Sequence, residues 1–310
     1  MVKLSVVIPT YNEESILPEL YRRLTKVLEN VGESYEVIYV NDGSTDKSLD
    51  IMKTFHSKNK RIKVLDLSRN FGHQIAITAG CDYARGEAVI VMDADLQDPP
   101  EVIPQLIKKW REGYDVVYAV REKREGEGYF KRVTASLFYR LIRKITDVEI
   151  PQDAGDFRLM SRRAIDGLKL TRERHRFVRG LVSWIGFNQT GVKFIREARY
   201  AGETKYPLKK MLKFALDGIT SFSFMPLQLG VWAGLFVSLL SFLYALYAIL
   251  VKILTNTPVS GWTSLMVAIL FLGGVHLLTL GLIGEYIGRI YDEVKQRPLY
   301  LVKEFLCEEE

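Results

Sequence analysis

The chain has 310 residues, 48% hydrophobic and 26% charged, with a formal net charge of +6. That length holds one large α/β domain and something smaller, and the totals fit a globular enzyme. The two cysteines, Cys81 and Cys307, are far apart with no CxxC pair or Cys/His ladder, which excludes a disulfide framework and a cysteine-based zinc centre and fits a reducing compartment. The basic excess suits a nucleic acid, an anionic membrane surface or a phosphorylated substrate, and charge alone does not choose among them.

Apolar, β-branched runs recur in chain order: "LSVVIPT" at 4–10, "YEVIYVND" at 35–42, "RIKVLDLS" at 61–68, "EAVIVMDAD" at 87–95 and "YDVVYAV" at 114–120. The first is too short before its charges to be a signal peptide and reads as a first strand. Helical patterns fall between the runs, at about 14–30, 45–58, 73–84 and 99–112. Continuous apolar strands alternating with helices predict a mostly parallel sheet covered on both faces. Ligands in such folds bind beyond the carboxyl ends of the strands. Those ends here are "PTYNEE", "NDGSTD", "SRNFGH" and "DADLQD", where the polar residues gather.

Past residue 120 the chain turns basic, with Arg121, Lys123, Arg124, Lys131 and Arg132 in succession. Within 130–146 the apolar residues recur at three- and four-residue steps, predicting a basic amphipathic helix; "YPLKKMLKFALDGITSF" at 206–222 is a second. Either could pack on the sheet or lie on a membrane surface. The second leads into apolar sequence, which favours the membrane. From Pro226 to Leu254 the only charge is Lys252, and from Ser264 to Gly284 there is none. Each stretch exceeds the ~20 residues that cross a bilayer. Lys209, Lys210 and Lys213 precede the first, and Arg289, Lys295, Arg297 and Lys303 follow the second. The positive-inside rule then places both termini and residues 1–225 in the cytoplasm, with 226–290 as a two-helix transmembrane hairpin and 291–310 as a cytoplasmic tail. His276 falls mid-span, where a polar side chain needs a partner.

"DADLQD" carries the chemistry. Two carboxylates at i and i+2 beyond a strand reach one ligand when the backbone turns there. Oxygen donors suit Mg²⁺ or Mn²⁺, which bridge carboxylates to substrate phosphates, and Gln97 adds a neutral oxygen. Asp42 and Asp46 can also be read as turn and cap residues, Asp98 as the N-cap of a helix with Pro99 at its first position, and Arg162 and Arg163 as solvated.

"VVIPTYNEE", "YVNDGSTD" and "VMDADLQDPPE", in this order and spacing, resemble the nucleotide-binding half of the family 2 glycosyltransferases, of GT-A fold. With "QDAGDFRLMSRRA" at 152–164 and "RYAGETKYPLKKM" at 199–211, the resemblance narrows to the polyisoprenyl-phosphate glycosyltransferases, including dolichol-phosphate mannose synthase and bacterial bactoprenol glucosyltransferases. It implies a nucleoside pocket lined by Pro9, Tyr11 and Glu13, with Asp42 accepting from the base. Asp93 and Asp95 become the DxD motif: Asp95 and Gln97 as metal ligands, Asp93 against the ribose or diphosphate. Arg121 would reach the diphosphate or the acceptor phosphate, Arg132 and Ser136 would face the acceptor phosphate, and Arg199 and Lys205 would clamp phosphates. Asp156 stands at the family's catalytic carboxylate, although Asp153 and Asp156 could exchange structural and catalytic roles. Ala154 replaces a larger polar residue.

The activity implied is metal-dependent, inverting transfer of a hexose from a nucleotide-sugar, UDP-glucose first, to a membrane polyprenyl phosphate at the cytoplasmic face of the cell membrane. GDP-mannose, UDP-amino-arabinose and UDP-N-acetylhexosamines are alternative donors. A homo-oligomer is implied too, tetramers occurring in the family. A polysaccharide synthase would carry a "QxxRW" motif, which the sequence lacks, and a non-catalytic scaffold would have a broken metal motif. No nucleic-acid recognition motif is present.

Overall fold

The computed structural model describes residues 2–121, 154–195, 225–255 and 261–307. Two units are distinct along the chain: one spans Met1–Gly218 and resumes at Arg297–Glu310, the other is Ile219–Gln296. The helices expected at 130–146 and 206–222 lie outside the described residues, as do Arg132, Ser136, Asp153, Arg199 and Lys205.

The first unit is built on one eight-stranded sheet. Its strands are β1 (Leu4–Thr10), β2 (Tyr35–Asn41), β3 (Ile62–Leu67), β4 (Ala88–Val91), β5 (Val116–Arg121), β6 (Ala154–Ser161), β7 (Gln189–Phe194) and β8 (Val302–Leu306), in the spatial order β7-β5-β6-β4-β1-β2-β3-β8. The strands β4, β1, β2 and β3 are parallel neighbours, and every residue of the four is buried. Burial on both faces is why they read as unbroken apolar runs. β6 runs antiparallel to both β4 and β5, and β8 runs antiparallel to β3. The fold is thus the expected mostly parallel GT-A sheet, with two reversed strands that the pattern of runs did not reveal.

Helices α1 (Leu17–Val31), α2 (Ser48–Lys58), α3 (His73–Tyr83) and α4 (Ile103–Arg111) connect the strands, with a 3₁₀ turn at Pro100–Val102. Helix α1 buries Leu17, Leu20, Leu24, Val27 and Leu28, one stripe at helical spacing, and stops at Gly32, whose φ of 73° suits a residue without Cβ. Two short helices follow β6: α5 (Arg162–Leu170) and α6 (Val178–Trp184).

A buried polar knot ties the strand starts. Glu36, 2% exposed, accepts from Ser5 Oγ at 2.5 Å, Lys63 Nζ at 2.5 Å and the Arg85 N–H at 2.7 Å. Arg162 is half-buried and structural, whereas Arg163 is exposed as expected and still reaches a buried partner. Arg162 donates to the carbonyls of Ala84 and Gly86, and Arg163 forms a two-pronged pair with buried Asp115. Arg162 satisfies carbonyls at the turn before β4, and Arg163 adds a cation to Asp115 before β5, which also accepts from Ser161 Oγ.

The second unit contains α7 (Met225–Thr255) and α8 (Trp262–Val294). Gly230–Val251 and Ser264–Val294 are 22 and 31 residues of mean hydropathy 2.2 and 2.3, and neither window is buried. At 1.5 Å per residue, each is long enough for a hydrocarbon core of about 30 Å. Helix α8 runs past the expected boundary at 290, and β8 is a sheet strand where a tail was expected. His276 is exposed on α8.

Candidate active site

The parallel strands bring Thr10, Asn41, Leu67 and Val91 to one edge of the sheet. The loops beyond them are cross-stitched. Asn12, in the left-handed region at φ 55°, accepts from the Thr45 N–H at 2.8 Å, and its own N–H donates to Ser44 Oγ at 3.1 Å. Asp46 accepts from the Ser48 N–H at 3.0 Å and the Glu14 N–H at 3.2 Å, so it makes the expected turn and also ties the first loop to the second. Pro9 sits where a strand tolerates it. Val7, two residues earlier, uses its carbonyl on the Met92 N–H, so the donorless nitrogen of Pro9 faces the side where β4 has ended. Tyr11 is 40% exposed at this rim, with Glu13 half-buried beside it.

Asp42 is buried, and its carboxylate accepts from the N–H groups of Phe71 at 2.7 Å and Gly72 at 3.0 Å. Burial pushes its carboxyl up, opposed by those two donors. Asp42 thus holds the loop that starts α3. Gly43 is required alongside: at φ +69°, a Cβ there would lie 2.6 Å from the Asn70 nitrogen.

The acidic motif follows β4. Asp95 accepts from the Gln97 N–H at 3.1 Å around Leu96, a buried residue in the left-handed region at φ 56°. This tight turn leaves Asp95 and Gln97 half-buried side by side, a fit for a divalent cation with oxygen donors. Asp98 does not cap a helix. It is 1% exposed and faces Arg121 at the end of β5, 3.5 Å from Nη2. Arg121 Nη2 in turn lies where a Cβ on Gly155 would approach to 2.9 Å.

The antiparallel register sets Asp156 beside this motif: Val91 pairs with Arg158, so two residues onward on β4 and two back on β6 bring Asp93 and Asp156 together. Between them stands His73, the first residue of α3, its Nε2 3.3 Å from Asp93 Oδ1 and 3.3 Å from Asp156 Oδ2. Asp156 also accepts from Arg179 Nε at 2.8 Å and Nη2 at 3.1 Å, and from Gln74 Nε2 at 3.4 Å. Gln74 Oε1 takes the Val178 N–H at 2.9 Å, which braces α6 against α3.

Charge follows geometry. Burial raises Asp93, with His73 opposing and Asp156 and Asp95 adding to the rise. Burial would raise Asp156 too, but Arg179 and His73 outweigh it and hold its carboxyl well below the usual range. Burial would lower His73; the Asp93 and Asp156 carboxylates overcome that and push it up to about 9. Arg158, sealed on the same face of β6, is brought down to about 10 by burial. Ligand atoms of His73, Asp93 and Asp156 lie within 4.8 Å of one another, close enough for one ion. Yet Asp156 already spends both oxygens on Arg179, and an imidazolium donates rather than ligates. Asp95 and Gln97 fit a cation better.

His73, Gln74 and Arg179 are thus site residues beyond those named from the sequence. Their signals were "FGHQ" at a strand's carboxyl end and an arginine inside the apolar run "RFVRGLV".

The glycosyl transferase family 2 pattern matches residues 5–168, and that of the GtrB C-terminal hairpin matches 225–290. The chain is 55% identical over 302 residues to the uncharacterized glycosyltransferase YkcC of Bacillus subtilis (strain 168), covering 97% of this chain and 94% of that one. It is 53% identical to the uncharacterized glycosyltransferase sll0501 of a Synechocystis species (98% and 95%) and 45% identical to the SfII prophage-derived bactoprenol glucosyl transferase of Shigella flexneri (97% and 98%). The sheet edge that gathers these carboxylates and the pattern that spans more than half of the sequence lead to one conclusion: this protein is a glycosyltransferase, a member of family 2.

Proposed function

We propose that this enzyme transfers a hexose from a nucleotide-sugar, UDP-glucose first among donors, to a polyprenyl phosphate, with inversion at the anomeric carbon. The observation that carries the reading is similarity to bactoprenol glucosyl transferases over 97% of the chain, the apolar helices included. Pro9, Tyr11 and Glu13 line the nucleoside side and Arg121 the phosphate side. Asp95 and Gln97 would hold Mg²⁺ or Mn²⁺, which would supply charge to offset that growing on the departing diphosphate. Arg132, Ser136, Arg199 and Lys205 complete the phosphate contacts.

A phosphate monoester has its second pKa near ~6 and is mostly a dianion at neutral pH, so the acceptor oxygen needs no strong base. Asp156 suits that requirement: a carboxyl held well below its usual range is a poor proton acceptor. Asp156→Asn is expected to slow transfer without shifting the pH–rate profile, and loss of an ionisation from that profile would make Asp156 the base. The two apolar helices keep the enzyme at the bilayer where the acceptor's tail resides, with the sheet in the cytoplasm. Chain path supports that topology, because strands of one sheet precede and follow the hairpin.

The deciding experiment is transfer of labelled sugar by purified protein in detergent, from UDP-glucose, UDP-galactose, UDP-N-acetylglucosamine or GDP-mannose. A lipid-linked product from UDP-glucose, absent with EDTA, is the expected result. Product from another donor alone would reassign the sugar, and a water-soluble product would overturn the lipid acceptor.

A further inference from the structure

We infer that Arg179 is a substrate-contacting cation of the transfer reaction, held by Asp156 against a phosphate oxygen; the inference rests on the phosphate-linked transfer proposed above. The pair is layered. The Asp156 side chain is 6% exposed and that of Arg179 is 28% exposed, so the guanidinium stands between the carboxylate and solvent. A carboxylate acting on a substrate would have to reach it directly. Asp156 instead meets the Nε and Nη2 of Arg179, at 2.8 and 3.1 Å, in a fork that fixes the plane of the guanidinium.

The support around the pair is more than a stabilising contact needs. Gln74 joins Asp156 to the Val178 N–H, so α3, β6 and α6 converge on one carboxylate and the helix carrying Arg179 cannot slide away from it. Apolar residues of equal volume would stabilise the same junction as well or better. A charged pair braced from three elements is the arrangement expected of a group that must meet its ligand in one orientation.

Local charge selects the ligand. Two guanidiniums, Arg158 and Arg179, lie close to the buried Asp156 carboxylate. One of those guanidiniums, Arg158, is 4% exposed, and its Nε has no hydrogen-bond partner among the described residues. A planar, always-charged fork matches phosphate oxygens. Two phosphates meet in the proposed reaction, the donor diphosphate and the acceptor monophosphate.

Arg179→Lys, which keeps a cation beside Asp156 and so the fold, and Arg179→Ala would be compared with the unaltered full-length protein in detergent. KM and kcat would be read for each substrate. Calorimetry would read binding of UDP with Mg²⁺ and, separately, of a short-chain polyprenyl phosphate. Loss of a charge-assisted hydrogen bond should weaken one of the two ligands by about tenfold or more, with the alanine variant worse than the lysine variant. Asp156→Asn should weaken the same ligand by less, since Arg179 remains but loses its aim. Weaker UDP assigns the donor diphosphate to Arg179, and a weaker polyprenyl phosphate assigns the acceptor. Unchanged affinity and KM for both ligands, with only kcat or the melting temperature lowered, would overturn the inference. If the unaltered protein showed no transfer, the proposed reaction would fall and the two binding arms would still decide Arg179.

Discussion

Val91 and Arg158 are direct partners across the antiparallel junction of β4 and β6. That one pairing builds the reaction centre, because it fixes how far the two strands overlap before their acidic ends diverge. A slip of one residue would turn the alternate side chains of β6 to the other face and bury Asp156 among Phe157's core neighbours. At the far end of β6 the Arg162 N–H donates to the Glu87 carbonyl before β4 at 2.7 Å, while the Ser161 hydroxyl donates to Asp115 before β5 at 2.8 Å and accepts the Ala164 N–H that starts α5.

His73 bridges two carboxylates, and its replacement has a signed pH dependence. Its pKa rises from 6.5 to about 9 on folding, so the stability it contributes is full below 6.5 and lost as pH rises through about 9. In EDTA, His73→Gln is expected to be less stable than the parent at pH 6, and the gap should close above pH 9 in thermal melts. The variant should also bind Mn²⁺ as tightly as the parent or more tightly. A large drop in Mn²⁺ affinity would show that His73 is a ligand.

Asp95→Ala removes the residue proposed to hold the cation. Transfer is expected to fall by about 10³-fold, the range for losing one electrostatic contact to developing charge. Melting in EDTA should barely change, since Asp95 is half-buried in a loop. A variant with near-normal turnover in Mg²⁺ would move the metal to other donors.

Two glycines should separate activity from stability. In Gly155→Ala the new Cβ meets the tip of Arg121, a movable side chain, at 2.9 Å. Transfer should drop about tenfold as Arg121 shifts, with a smaller loss in melting temperature than Gly86→Ala because a flexible side chain can give way. In Gly86→Ala the Cβ meets the Ser5 backbone nitrogen at 2.6 Å, which cannot yield. That variant should lose about 3 kcal/mol or more in urea unfolding. Equal effects of both substitutions on stability would contradict this division.

Lys63→Met should strand a charge. Glu36 is sealed at 2% exposure, and Lys63 is the cation paired with it at 2.5 Å. Breaking a buried pair from one side costs about 3–5 kcal/mol. Adding Glu36→Gln should recover part of the loss, and chemical unfolding of the two variants measures both.

The sequence made the parallel half of the sheet legible because burial on both faces leaves each strand an unbroken apolar run. Asp93, Asp95 and Asp156 were legible by motif. What stayed hidden is non-local. β7 and β8 are edge strands, β7 mixing buried and exposed residues and β8 burying none fully, so "QTGVKF" and "VKEFL" carry no continuous run. Arg179 lies on a helix of seven residues, too short for periodicity, and reaches Asp156 only through a register formed by tertiary pairing. Asp98 and Arg162 looked like ordinary cap and surface residues because their partners, Arg121 and the carbonyls before β4, are distant in sequence.

The strand that pairs with the outer edge of β3 follows the two apolar helices along the chain, and synthesis order therefore matters. β1 to β7 emerge from the ribosome first, then two long apolar helices, and only then residues 302–306. Until that moment the outer edge of β3 presents unpaired backbone groups, a template for unwanted strand pairing. Completion of the catalytic sheet thus waits on the apolar helices having been made, so a chain truncated within them would keep its active-site carboxylates and remain open along that edge.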